Sequence, residues 1–238
     1  MNQQSIDSRR VALADMDETV ITEKSMLRFC QFVQNSKSDA CLEHSISKTL
    51  KLLSQPSTRT RAEANKIFYE AFRGFDAKAL ERLGHQWFQS ESALPSFYNS
   101  RVVDVLLNHL SEGCEVWLVS GSFAACVAPV AAALGLTGYV CTEQEVDLHG
   151  RFTGQIGQPC IGRGKAIALS QKVFSDYGQS DTALEVWGYA DHHTDIPMLS
   201  LADHAVCVNP TPELAGVAAS LNWGIWSTET AESARRSS

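Results

Sequence analysis

Val11-Ala12-Leu13-Ala14-Asp15-Met16-Asp17-Glu18-Thr19 is the stretch whose reading decides the fold. Four small or apolar residues run into two carboxylates separated by one residue, with a hydroxyl two further on. An apolar run with no polar alternation, followed by a long helical segment, is the pattern of a parallel strand buried on both faces. Ligands collect at the carboxyl ends of such strands. Alone, Asp-x-Asp-x-Thr reads equally as a polar loop after a strand, so its meaning depends on the rest of the chain.

Downstream, Met26, Phe29, Cys30, Phe32 and Val33 recur at helical spacing, and helical patterns follow around 46–53, 61–73 and 77–91. The block from Thr22 to Leu94 is expected to be helical throughout, with Gly74 as a stop, Asp76 as a cap and Leu94-Pro95-Ser96 as the way out. It reads as a helical cap, residues 22–94, inserted into a core made of residues 1–21 and 95–238. The core resumes with a helix around 98–110 and a second buried strand, Cys114 to Val119, ending in Ser120-Gly121-Ser122. A helix from Phe123 to Leu134, a short strand at Tyr139-Val140-Cys141 and a hairpin over 143–156 come next. Gly162-Arg163-Gly164-Lys165 opens a helix, and the strand Leu184 to Ala190 ends in Asp191-His192-His193-Thr194-Asp195. A short helix at Ile196 and a strand from Ala205 to Val208 follow, and the polar end from Ser227 is expected to fray. Strands alternating with helices predict an α/β fold with a doubly wound parallel sheet.

The chain of 238 residues is 44% hydrophobic and 20% charged, with a formal net charge of −7. Lysine and arginine form no run, which argues against nucleic acid or an anionic membrane as a main partner. No apolar stretch approaches the roughly 20 residues of a membrane span, and the polar start has no signal-peptide core, so a cytoplasmic protein is expected, monomeric or homodimeric. The seven cysteines never fall at Cys-x-x-Cys spacing and read as reduced packing thiols.

Asp15 and Asp17, Ser120, Lys165, and Asp191 with Asp195 thus stand at strand or helix ends, and together they suit phosphoryl transfer. A phosphate monoester repels nucleophiles, so catalysis is positioning and charge neutralisation. Asp15 would attack phosphorus, and to stay ionised beside a dianion it needs a cation. A hard divalent ion, magnesium, would be held by Asp15, the Asp17 backbone carbonyl and Asp191, with Asp195 steadying its water shell or Lys165. Lys165, the Ser120 hydroxyl and the amides of Gly121, Met16 and Asp17 would bind the phosphoryl oxygens. Asp17 would protonate the leaving alkoxide and then deprotonate the attacking water.

The ordered set, Asp15-Met16-Asp17-Glu18-Thr19, Ser120, Lys165 and Asp191 with Asp195, resembles the haloacid dehalogenase superfamily of phosphatases, in the branch that includes phosphoserine phosphatase. The local phrases Val119-Ser120-Gly121-Ser122, Gly150-Arg151-Phe152-Thr153-Gly154 and Asp195-Ile196-Pro197-Met198-Leu199 resemble it too, and the likeness runs from Arg10 to Trp226. The resemblance implies a Rossmann-like core with a helical cap between the first two motifs, and a small phosphate ester as substrate. Two departures stand out. The glutamate that reads the amino group in phosphoserine phosphatases has its nearest counterpart in Glu23, one position early and followed by Lys24, so phosphoserine is one candidate substrate. His192-His193 replaces the usual small residues and is expected to be structural or solvent-facing, as Arg28 and Arg73 are expected to be surface charge.

A dehalogenase is disfavoured because that chemistry needs no acid at Asp17, and an ion-pumping ATPase because no membrane span is present. Transfer to an acceptor hydroxyl, as in a phosphotransferase or phosphomutase, remains an alternative, as does a non-catalytic phosphate-binding protein on the same fold. The bends near Thr22 and Pro95 are expected to let the cap close over a bound phosphate.

Overall fold

A computed structural model describes residues 8–36, 39–175 and 183–227. Among these, six strands form one parallel sheet in the order β3-β2-β1-β6-β7-β8: β1 (Arg9–Asp15), β2 (Glu115–Phe123), β3 (Gly138–Thr142), β6 (Leu184–Ala190), β7 (His204–Val208) and β8 (Gly224–Trp226). From β1 the chain builds outward through β2 to β3, then returns to β6 on the opposite side of β1. The end of β1 is therefore the point where the winding reverses, the place where open α/β sheets hold ligands.

The opening apolar run is buried on both faces as expected. Val11, Leu13, Val119 and Val186 pack on one side of the sheet, and Ala12, Ala14, Val116 and Leu118 on the other. A sheet covered on both sides has no solvent face to impose polar alternation. Among the described residues, helices α5 (Ser100–Ser111) and α6 (Ala124–Ala133) flank β2 in the chain, and α7 (Arg163–Lys172), α8 (Ile196–Leu199) and α9 (Pro212–Leu221) follow. The last unit, α9 with β8, was not foreseen in the sequence. Gly-Ile-Trp is too short a strand to announce itself without its partner β7. The expected fraying beyond Ser227 lies outside the described residues.

Four helices fill the stretch between β1 and α5: α1 (Ser25–Ser36), α2 (Ala40–Leu53), α3 (Arg61–Glu70) and α4 (Ala77–Ser92). The expectation of continuous helix is corrected at residues 54–60, an irregular loop that contains Pro56. It ends in a capping box: the Thr60 hydroxyl accepts from Glu63 N–H, and the Glu63 carboxylate accepts from Thr60 N–H. Asp76 caps α4 as expected, accepting from Ala79 N–H at 2.8 Å. The two crossings into and out of the helical block are tied together, because Thr22 N–H donates to Phe97 O and Asn99 N–H to Val20 O. The hairpin of β4 (Gln144–Val146) and β5 (Phe152–Ile156) also joins this block, with Gly74 N–H donating to Phe152 O at 2.7 Å and Phe152 N–H to Phe75 O at 2.9 Å.

Candidate active site

Asp15 is the last residue of β1, and the chain turns sharply behind it. Met16 O accepts from both Val20 N–H and Ile21 N–H, and Glu18 takes a left-handed backbone with φ of 62°. This tight turn holds two carboxylates at one strand end. Lys165 reaches the same place from the first turn of α7. Its approach depends on Gly164, where a Cβ would lie 1.9 Å from Pro159 O. The Lys165 ammonium sits 2.5 Å from Asp15 Oδ1 and 2.7 Å from Asp195 Oδ1, and all three side chains are almost wholly buried.

An aspartate just before a helix is a favoured cap, but Asp195 is not used as one. It stands at the start of α8 without making a side-chain cap bond there, and its carboxylate is spent on Lys165. Asp191, at the end of β6, accepts a hydrogen bond from the Thr19 hydroxyl at 3.1 Å. Asp15, Asp191 and Asp195 each offer an oxygen within 4.8 Å of the others. Three buried carboxylates facing one ammonium leave an excess of negative charge, and a hard divalent cation bound by oxygen ligands fits that donor set.

Asp17 is held apart from this cluster. Its Oδ1 accepts from the backbone N–H of Ser25 at 3.1 Å, where α1 begins, and the Ser25 hydroxyl donates to Ser122 Oγ at 2.9 Å. Burial, then the neighbouring Asp15, pushes the Asp17 carboxyl up to about 7, so at neutral pH it carries a proton for much of the time. Burial also pushes Asp191 up to about 6. Asp15 is raised too, by burial and by Asp195 and Asp191, although Lys165 pulls the other way. For Lys165 the balance is reversed: burial disfavours the ammonium, but Asp15 and Asp195 outweigh it and keep the charge on.

Ser120 and Gly121 lie on β2, next to β1 in the sheet. The Ser120 oxygen accepts from Ser122 N–H at 3.0 Å. Gly121 O accepts from Asn65 Nδ2, the Tyr69 hydroxyl and the Thr142 hydroxyl at 3.1, 3.2 and 2.9 Å, which ties α3 to the strand end. A cavity of about 510 Å³ opens above these groups, lined at its floor by Asp15, Asp17, Ser120, Gly121, Lys165 and Asp195. Asp191 borders it through the carboxylate cluster rather than as a wall, and the Met16 side chain is buried in the core.

Several lining residues escaped the sequence reading. Asn65, Arg61 and Thr194 reach the cavity through tertiary packing alone, with Arg61 donating to the Thr194 hydroxyl at 3.3 Å. Of the two cap charges near the first motif, Lys24 lines the cavity and pairs with Glu18 at 3.3 Å, whereas Glu23 is exposed and is not among the lining residues. Arg28 is not a free surface charge: it makes two hydrogen bonds to buried Glu91. His192 takes a structural position, its Nδ1 accepting from Thr194 N–H, and burial together with Arg61 lowers its pKa.

This constellation at the reversal point of a parallel sheet defines a hydrolase of the haloacid dehalogenase kind. The family model for haloacid dehalogenase-like hydrolases matches residues 12–200, and the chain belongs to that family. Within it, the protein is a phosphatase. A relative from Mycobacterium tuberculosis described as a probable phosphatase is 28% identical over 223 residues, covering 92% of this chain and 76% of the relative. A phosphoserine phosphatase of the same organism is 26% identical over 239 residues, 98% of this chain and 76% of its own. A crystal structure of a Bordetella pertussis protein of unknown function matches with a TM-score of 0.77 at 25% identity, covering 92% of this chain and 98% of that one. Among the described residues, no helix is long and apolar enough to cross a membrane.

Proposed function

We propose that the protein is a magnesium-dependent phosphomonoester hydrolase that works on a small phosphorylated metabolite through an aspartyl-phosphate on Asp15. The observation that carries this reading is the separation of the two leading carboxylates: Asp15 is bound to Lys165 inside the charged cluster, while Asp17 is fixed outside it by Ser25. This separation supports a reading in which one carboxylate acts as nucleophile and the other as proton carrier.

Asp15, Asp191, Asp195 and the Asp17 backbone carbonyl are the groups that would hold magnesium. When bound, the ion neutralises the phosphoryl oxygens and keeps the carboxylates ionised. Lys165 supplies the fixed positive charge beside Asp15, and the Ser120 hydroxyl with the amides of Met16, Asp17 and Gly121 bind the non-bridging oxygens. An Asp15 oxygen forms the bond to phosphorus as the bond to the leaving oxygen breaks, and Asp17 gives its proton to that oxygen. Ionised Asp17 then takes a proton from water, whose oxygen displaces Asp15 and releases inorganic phosphate. Ser25 keeps Asp17 directed at the leaving oxygen throughout.

Phosphate release from p-nitrophenyl phosphate, with magnesium and with a chelator, tests this reading. Turnover that requires magnesium and disappears in Asp15→Asn is the expected result. No turnover, or turnover unchanged in Asp15→Asn, overturns it.

A further inference from the structure

The upper half of the cavity differs sharply from its floor. Its cap side is built of Met26, Leu27, Leu50, Leu53 and Phe68, and the acidic side chains that line the cavity all lie on the floor. Of the two cations on the cap side, Lys24 is engaged by Glu18, and Arg61 is exposed and donates to the Thr194 hydroxyl; the third lining cation, Lys165, lies on the floor. An ammonium group placed against the apolar cap wall would lose water without gaining a counter-charge.

Asn65 is the buried polar residue in that wall; Ser54 also lines it but is exposed. Asn65 is only 6% exposed, and its Nδ2 donates to Gly121 O at 3.1 Å. That bond fixes the amide's orientation, because a flip would set two oxygens against each other. The consequence is that Asn65 Oδ1 is buried with no donor among the described residues. A buried acceptor left unpaired in a residue that lines a ligand cavity calls for a partner that arrives with the ligand.

Building on the phosphatase reading, we propose that Asn65 is a specificity-determining residue. Its Oδ1 accepts a hydrogen bond from an N–H or O–H group on the leaving alcohol, and the preferred substrates are phosphate esters of uncharged, mainly apolar alcohols that carry such a donor. Amino-acid phosphates are poor substrates by the same argument, since their ammonium group meets Met26, Leu50 and Phe68 rather than a carboxylate.

The test compares two bicyclic esters of similar size, indol-3-yl phosphate with a ring N–H and 1-naphthyl phosphate without one, alongside O-phosphoserine, in the wild type and Asn65→Leu. Comparing the indolyl-to-naphthyl ratio of kcat/KM between the two proteins cancels the difference in leaving-group basicity. The expected result is that this ratio falls about tenfold in Asn65→Leu, and that the wild type handles both aryl esters better than O-phosphoserine. An unchanged ratio, or O-phosphoserine as the best of the three, overturns the proposal. Calorimetry with the corresponding indolyl and naphthyl phosphonates reads the same ratio as binding. It therefore reports on Asn65 even where no ester is turned over, the result that would overturn the phosphatase reading instead. A second variant, Leu53→Asp, covers the case in which Asn65→Leu does not fold: a carboxylate on the cap wall is expected to shift preference toward O-phosphoserine, and no shift counts against the apolar chamber.

Discussion

The backbone N–H of Ser25 donates to Asp17 Oδ1 at 3.1 Å, joining the first residue of α1 to the carboxylate two positions beyond the end of β1. The bond lets α1 help fix the Asp17 carboxylate, and it leaves Asp15, Asp191 and Asp195 as the carboxylates that share a centre. Binding and proton transfer are therefore separable. Asp17→Asn is expected to keep magnesium and phosphate-analogue affinity within a few fold while turnover drops about 10²–10⁴-fold, the usual weight of a positioned general acid and base. Calorimetric titration of the ion with steady-state kinetics on the same preparation checks this. A parallel loss of affinity would put Asp17 in the charged cluster after all.

Lys165 is the cation that holds Asp15 and Asp195 together. Removing one partner of a buried ionic group leaves charge without compensation, at a cost of roughly 3–5 kcal/mol. Lys165→Met should lower the stability of the metal-free protein by about that much, as read from urea unfolding. Adding Asp15→Asn to it should restore part of the loss, because one of the stranded carboxylates is gone, while leaving the enzyme inactive. Stability that is indifferent to both changes would mean the cluster is protonated rather than ionic.

The raised carboxyls carry a pH signature. Asp17 and Asp191 move from 3.8 to about 7 and about 6, chiefly through burial, so the folded state binds their protons more tightly than the unfolded chain does. Their contribution to stability is complete below the unfolded value and is lost as pH rises through 6 and then 7. Magnesium favours the ionised form of Asp191, so the melting-temperature gain on adding it should grow from about pH 5 to about pH 8. The gain is the right observable, since Glu63, Glu115 and Asp147 have lowered pKa values and tilt the raw curve the other way. A gain that shrinks over this window would contradict the assignment of Asp191 to the ion.

Much of the floor of the cavity was readable in the sequence because its groups sit at or near strand and helix termini. Asp15, Ser120, Lys165 and Asp195, with Asp191 beside them in the carboxylate cluster, carry that signal in a few neighbouring residues. The roof was not. Asn65 and Phe68 lie on α3, whose apolar spacing says only that one face is buried, not that part of that face looks into a cavity. Ser25 reads as an ordinary helix start, and its bond to Asp17 exists only once the chain has turned back at Glu18. The loop at 54–60 was missed for a different reason: helical spacing on both sides masks a short interruption.

Two helix glycines predict opposite outcomes for one substitution. In α9, Gly216 has nothing within 4 Å of the place a Cβ would occupy. Gly216→Ala should stabilise the protein by about 0.5–1 kcal/mol, because alanine loses less backbone freedom on entering a helix. In α4, a Cβ on Gly84 would lie 2.0 Å from Ala125 O and 2.9 Å from Ala125 Cβ, where α4 presses on α6. The same helix-propensity gain is available there, but it is opposed by a backbone collision that only movement of one helix can relieve. Overpacking of this kind costs about 1–3 kcal/mol, so Gly84→Ala should be net destabilising. Urea unfolding of the two variants beside the wild type decides the point. If Gly84→Ala stabilises as Gly216→Ala does, the contact between α4 and α6 is loose enough for the helical block to shift on the core. If it destabilises, any closing movement over the phosphate must come from α1, α2 and α3, with α4 as the fixed base.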